Sequence, residues 1–194
     1  MLIKAVAAAS LLLALPVIAP AAEPDTFCKE KYALCIKAPC KPIVTRKADG
    51  TYEVTEVNCL CAVETGWSMG PGSCESRKPV HQDGRTYLIS TYSNLFNTTN
   101  KALTCSSEDT VWAICYGKPC VVDDKDPSTA TCTCPVKTSA MKTLGGECRQ
   151  SACKTIWSAA TAETFKFAND EFYKYMKEHH LPTNPPAKDC PAPR

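Results

Sequence analysis

Apolar and polar residues alternate with period two in several short runs, and one long C-terminal run has a helical period instead. Residues 42–46 and 51–63 read as the two strands of a hairpin, with Ala48, Asp49 and Gly50 as the turn. Tyr52 and Val54 share one face, whereas Val57, Cys59, Cys61 and Val63 fall on a face shifted by one residue. That slip predicts a bulge near Thr55 and Glu56. Residues 121–122 and 129–133 flank Asp123-Asp-Lys-Asp-Pro127, a turn sequence, and predict a second, shorter hairpin. Residues 85–92 read as a further strand and 94–100 as a polar loop. From 158 to 180 glycine and proline are absent, and Phe165, Ala168, Phe172, Met176 and His179 recur at helical spacing. Leu181-Pro182 ends that helix. Phe167, Tyr173 and Tyr175 lie off its main face. They are expected to pack on the hairpins; the alternative is a partner-binding surface.

The 14 cysteines turn this outline into a repeat. Cys28, Cys35, Cys40, Cys59, Cys61 and Cys74 are matched in spacing by Cys105, Cys115, Cys120, Cys132, Cys134 and Cys148. The surrounding words agree too: Ala33-Leu-Cys-Ile-Lys-Ala-Pro-Cys40 against Ala113-Ile-Cys-Tyr-Gly-Lys-Pro-Cys120. Two similar units are expected. Cys153 and Cys190 remain, so every group is even, as closed disulfide sets require. Cys190 is expected to return to Cys153 and pin the helix against the body. The fold class is therefore small, disulfide-rich α+β: two cysteine-stapled hairpin units followed by a tethered amphipathic helix. The expected division is 1–21 signal peptide, 22–80 first unit, 81–104 connecting strand and loop, 105–150 second unit, and 151–194 helix and proline-rich tail. Six cysteines allow fifteen pairings, and spacing alone does not choose among them.

Composition fits that picture. Cysteine is near the level that marks a disulfide scaffold. Units of this size bury too little surface to fold on apolar contacts alone, so crosslinks carry the balance. Lys4 followed by the apolar run Ala5 to Leu15 and by Ala19-Pro-Ala21 reads as a secretory signal cleaved after Ala21. Export places the chain where disulfides persist, in the periplasm or outside the cell. The short alanine-rich run suits a bacterial exporter; in a eukaryote Asn97-Thr-Thr99 becomes a glycosylation acceptor. The apolar run is too short to span a bilayer. A formal net charge of +2 gives no basic field for nucleic acid or anionic membrane.

The C-x-C before a final long loop, with Gly66-Trp67 after Cys61, resembles epidermal growth factor-like modules over residues 28–74 and 105–148. The second copy lacks the glycine-aromatic pair. The resemblance implies bridges from first to third, second to fourth and fifth to sixth cysteine.

Candidate chemistry is sparse. Gly66-Trp-Ser-Met-Gly70 matches the G-x-S-x-G elbow of serine hydrolases, with His179 or His180 as candidate bases. The elbow needs a helix after the serine, and Gly70-Pro-Gly72 blocks one. Ser68 is therefore expected on a surface loop, where replacement changes stability by less than about 0.5 kcal/mol. The pairs Cys59/Cys61 and Cys132/Cys134 offer redox or soft-metal chemistry. On a strand each pair points to one face, which suits structural bridging to separate partners. Glu178, His179, His180 and His81 are candidate metal ligands, but adjacent helical residues point about 100° apart and no zinc-type spacing supports them. Loops at 64–73, 137–146 and 94–100 are candidates for recognition or inhibition, since crosslinking lowers the ordering cost of binding. No catalytic, cofactor or metal site is assigned. The expectation is an exported binding protein acting on an extracellular ligand or protein; the alternative is a small secreted hydrolase or an inhibitor of one.

Overall fold

The alternation that begins at Thr51 runs on to Pro71, because a strand the sequence reading missed lies beside its second half. In the computed structural model, which describes residues 24–93, 101–146, 148, 155–183 and 188–189, the first described elements are β1 (Asp25–Leu34), β2 (Pro39–Arg46) and β3 (Tyr52–Pro71). β2 pairs with β3 from Arg46↔Tyr52 to Cys40↔Cys59, and β1 takes over from Leu34↔Ala62 to Asp25↔Pro71. Between β1 and β2 a tight turn interrupts the edge, closed by the Ala38 N–H donating to the Cys35 carbonyl at 2.8 Å. Ile43 opposes Glu56 while Val44 opposes Val54, so Thr55 is the bulged residue, where the slip in alternation placed it. The expected recognition loop at 64–73 is thus mostly strand: its backbone groups are paired, and an isolated loop there would leave them unsatisfied.

β4 (Val80–Gln82) and β5 (Arg85–Ile89) form a hairpin through Asp83 and Gly84, whose φ values of 51° and 72° match the tight mirror-image turn that this dipeptide favours. β6 (Tyr92–Ser93) pairs with β3, and β7 (Lys101–Cys105) begins a second sheet. β8 (Val111–Ala113) and β9 (Pro119–Val122) lie along β10 (Thr129–Thr138), separated by a turn in which the Lys118 N–H donates to the Cys115 carbonyl at 3.0 Å. β11 (Met141–Thr143) pairs with β7, and β12 (Ile156–Trp157) covers the Cys40 end of β2. The helix α1 (Ala162–Glu178) follows, and β13 (Lys188–Asp189) returns parallel to β7. The main sheet runs β12-β2-β3-β10-β9-β5-β4 and the smaller one β11-β7-β13. Among the described residues the architecture is mostly antiparallel β with one C-terminal helix and six disulfides.

The helix is shorter than its glycine-free run. Ser158, Ala159 and Ala160 are held by backbone bonds to Ala38, Ala113 and Lys142, so the helix starts only after Thr161, whose hydroxyl accepts from the Thr164 N–H. Phe165, Ala168, Phe172 and Met176 are buried as the periodicity requires, against Tyr32, Leu34, Met69 and Tyr92. Phe27 meets Phe172 edge-on at 5.2 Å and stacks on Tyr175 at 4.2 Å. Tyr175 therefore packs on the sheet, whereas Phe167 and Tyr173 stay exposed.

The bridges correct the growth factor-like pairing. In the first group they are Cys28–Cys74, Cys35–Cys61 and Cys40–Cys59; in the second, Cys105–Cys148, Cys115–Cys134 and Cys120–Cys132. Each group is nested: first to sixth, second to fifth, third to fourth. The reason is register. Cys40 stands directly opposite Cys59 and Cys120 opposite Cys132, and the other C-x-C member, two residues along the same face, meets the cysteine that opens the turn. Cys153 and Cys190, with their expected bridge, and Asn97 lie outside the described residues.

Candidate functional site

The two C-x-C pairs lie at the centre of the molecule. Cys40↔Cys59, Cys59↔Cys132 and Cys132↔Cys120 are register partners, so four cysteines occupy one rung across β2, β3, β10 and β9. Cys61 and Cys134 project from the same face two residues further along, and Cys35 and Cys115 close over them. All eight are at most 2% exposed and form one core with Ala33, Val57, Leu88 and Ile156. Sulfurs of Cys35, Cys120 and Cys132 lie within 4.8 Å of one another, as do those of Cys35, Cys61 and Cys115. Every one is oxidised to a disulfide, so none offers the thiolate that a soft metal takes.

The second cluster joins Ser68 of the G-x-S-x-G stretch to residues that no sequence motif connects with it. Ser68 is fully buried on β3, between Cys28 of β1 and Ser93 of β6. Its hydroxyl donates to the Glu30 carboxylate. Arg77 comes down on the same carboxylate, with Nε 3.4 Å from Glu30 Oε1 and Nη2 donating to the Thr26 carbonyl at 2.9 Å. Side-chain exposure is 8% for Glu30 and 1% for Arg77, so this is a desolvated ion pair. Burial pushes the Glu30 carboxyl above the ordinary glutamate range, against the opposing Ser68 hydrogen bond and Arg77 charge. Gly70 makes the room: a Cβ there would stand 2.2 Å from Arg77 Nη1 and 2.5 Å from Thr91 Cγ2. Beside this, the Tyr32 hydroxyl donates to Ser93 Oγ at 2.5 Å, and burial raises the phenol to about 12.

These positions overturn the surface-loop expectation for Ser68. It has neither solvent access nor a following helix, and its hydroxyl is committed to Glu30. Ser68→Ala therefore removes a buried hydrogen bond to a charged group. The expected loss is about 1–3 kcal/mol, read as a lower midpoint in urea unfolding; an unchanged midpoint refutes it. A signal for Glu30 was present in the sequence. Cys28, Tyr32 and Leu34 alternate on one face, and Glu30 sits among them at a core-facing position.

The histidines do not converge. His81 pairs with Thr86 on the exposed β4–β5 hairpin, while His179 caps the helix and lies against Tyr175. Among the described residues, no group of ligand atoms close enough to share an ion includes His81, Glu178, His179 or His180. Of the other proposed loops, 137–146 holds the end of β10 and all of β11, and 94–100 lies outside the described residues. A cavity lined by Ser90, Thr91, Tyr92 and Tyr116 holds about 10 Å³, room for one water and not for a substrate. No helix among the described residues is long and apolar enough to cross a membrane, and six disulfides fit an extracellular or periplasmic protein. The chain matches no protein-family model, no curated protein and no solved structure.

Proposed function

We propose that this chain is an exported, disulfide-crosslinked interaction protein without catalytic activity, and that it binds an extracellular protein through the tip of its first hairpin. The observation that carries the reading is the face formed there by Val44, Arg46, Tyr52 and Val54. Val44 opposes Val54 and Arg46 opposes Tyr52, so all four side chains share one side of the hairpin. Val54 packs on the sulfur-rich core, while Val44 is 61% and Tyr52 69% exposed. Two exposed apolar side chains flanked by Arg46 thus continue from the core into solvent, and this face is our candidate contact surface. It is also held in shape. Lys47 and Thr51 share a backbone bond, Asp49 accepts from Thr51, and Lys47 pairs with Glu53 at 2.7 Å. Such pre-organisation lowers the ordering cost of binding.

The same reading takes the two six-cysteine segments as copies of one hairpin unit, with the helix tethered behind them. Support comes from the shared nested pairing, from the matching turns at Cys35–Ala38 and Cys115–Lys118, and from the register that sets Cys59 of one segment opposite Cys132 of the other. In the second copy the tip is an acidic turn in which Asp123 and Asp126 accept local hydrogen bonds, which leaves the exposed apolar side chains to the first.

The test compares wild type with Val44→Asp/Tyr52→Asp, both immobilised and exposed to the native extracellular fraction. A protein retained by wild type and lost by the double variant, which keeps its six bridges, is the expected result. Equal retention by both sinks the hairpin assignment. Labelling of the wild type by a serine-directed phosphonate sinks the non-catalytic reading.

A further inference from the structure

Cys132 Sγ lies 3.3 Å from Cys35 Sγ and 3.3 Å from Cys61 Sγ, yet it is bonded to neither. Its own partner is Cys120, while Cys35 and Cys61 are the two ends of a bridge in the other six-cysteine segment. The register imposes this contact. Once Cys59 and Cys132 face each other across β3 and β10, the Cys35–Cys61 bridge is stacked directly on the Cys120–Cys132 bridge. A thiolate attacks a disulfide sulfur through a mixed disulfide, and what limits such exchange inside a protein is access. Here access is already built.

We propose that Cys132 is the exchange sulfur of an internal disulfide relay, in which a dithiol reductant opens the Cys120–Cys132 bridge once per chain and the reduction passes to the Cys35–Cys61 bridge. One thiolate of the reductant attacks Cys120 Sγ, the Cys120–Cys132 bond breaks, and Cys132 leaves as a thiolate. The second thiol of the reductant then attacks the mixed disulfide, closes the reductant's own disulfide and releases Cys120, which takes a proton. The Cys132 thiolate attacks Cys61 Sγ. A Cys61–Cys132 bond forms, the Cys35–Cys61 bond breaks, and Cys35 leaves and takes a proton. Two electrons have entered the chain, and the free thiols are now Cys35 and Cys120. Attack on Cys35 Sγ gives the equivalent product with Cys61 free. Because Cys35, Cys120 and Cys132 sulfurs lie within 4.8 Å of one another, a two-electron oxidant of the disulfide class closes Cys35–Cys120 in turn. The result is a second complete pairing in which both bridges join one segment to the other.

Cys120 and Cys132 are fully buried, so the reductant reaches them only when the short β9 opens locally. The cleaner experiment therefore removes that step. Cys120→Ser leaves Cys132 as a thiol with no reductant added. The variant is held at mildly alkaline pH, quenched in acid, denatured, alkylated with N-ethylmaleimide and mapped by peptide mass. Label spread over Cys132, Cys61 and Cys35, with a peptide joining Cys132 to Cys61 or Cys35, is expected. Label on Cys132 alone, with Cys35–Cys61 intact, overturns the relay. In the control Cys74→Ser, label is to stay on Cys28; spread there as well marks general scrambling and overturns the relay too. If Cys120→Ser does not fold, the wild type is treated with limiting dithiothreitol and mapped in the same way. Cys120 labelled together with Cys35 or Cys61 supports the proposal, and labelling only of native partners refutes it.

Discussion

Complete reduction of the six described bridges is expected to abolish cooperative unfolding of this chain. The bridges span sequence separations of 46, 26 and 19 residues in the first group and 43, 19 and 12 in the second. Each contributes about 2–4 kcal/mol by restricting the unfolded chain. Nested loops do not add fully, but half the sum already equals the roughly 5–15 kcal/mol of a typical folded domain. The central core has little else to offer. Besides its eight cysteines it holds four alanines and only Val57, Val122, Leu88 and Ile156 as larger buried aliphatics. The measurement is a thermal melt followed by circular dichroism, with and without dithiothreitol at neutral pH. A sigmoidal melt that survives verified reduction of all six bridges would show that apolar packing carries the fold alone. Replacing only Cys28 and Cys74 by alanine, which removes the longest loop, is expected to cost about 2–4 kcal/mol and to leave the melt cooperative.

Arg77→Met is expected to cost about 3–5 kcal/mol, because it leaves the Glu30 carboxylate buried without its counter-charge. The Ser68 hydrogen bond is untouched, so the loss reports the charge rather than the hydrogen bond. Adding Glu30→Gln removes the stranded anion and should recover much of the loss, a coupling that a double-mutant cycle measures directly. Additive losses would mean that the two side chains stabilise the fold independently. The pair also has a pH signature. Burial raises the folded-state Glu30 carboxyl above its unfolded value, so the folded chain holds that proton more tightly. The contribution of Glu30 is fully present below the unfolded glutamate value and is lost as pH rises through the raised folded value. In urea titrations across the mildly acidic range, this loss with rising pH should be seen in wild type and vanish in Glu30→Gln.

The hairpin at 42–63 was legible because turn chemistry and period-two alternation are local properties. Even its bulge at Thr55 showed, since one extra residue moves every later side chain to the other face. The helix face was legible for the same reason, although Ser158 to Ala160 are recruited to strand contacts that no local rule foresees. β1 was missed: Lys29, Glu30 and Lys31 hide its alternation, and its partner stretch 64–71 carries two glycines and a proline that read as loop. The buried Glu30–Arg77 pair was missed with it, because no motif joins residues so far apart.

The sequence by itself determined that the cysteines form even groups, and every described bridge stays within its own group of six. It also determined the hairpin at 42–63 and which face of the helix is apolar. Tertiary structure alone decided the order of pairing, nested and not of the growth factor type, and the register of β3 on β10 that stacks one segment's sulfurs on the other's. The physical reason is range. Periodicity and turn propensity act over a few residues, whereas Cys132 meets Cys61 and Cys35 across 71 and 97 residues of chain. Contacts at that distance depend on which strand edge is free to pair and on which face it then presents to the core.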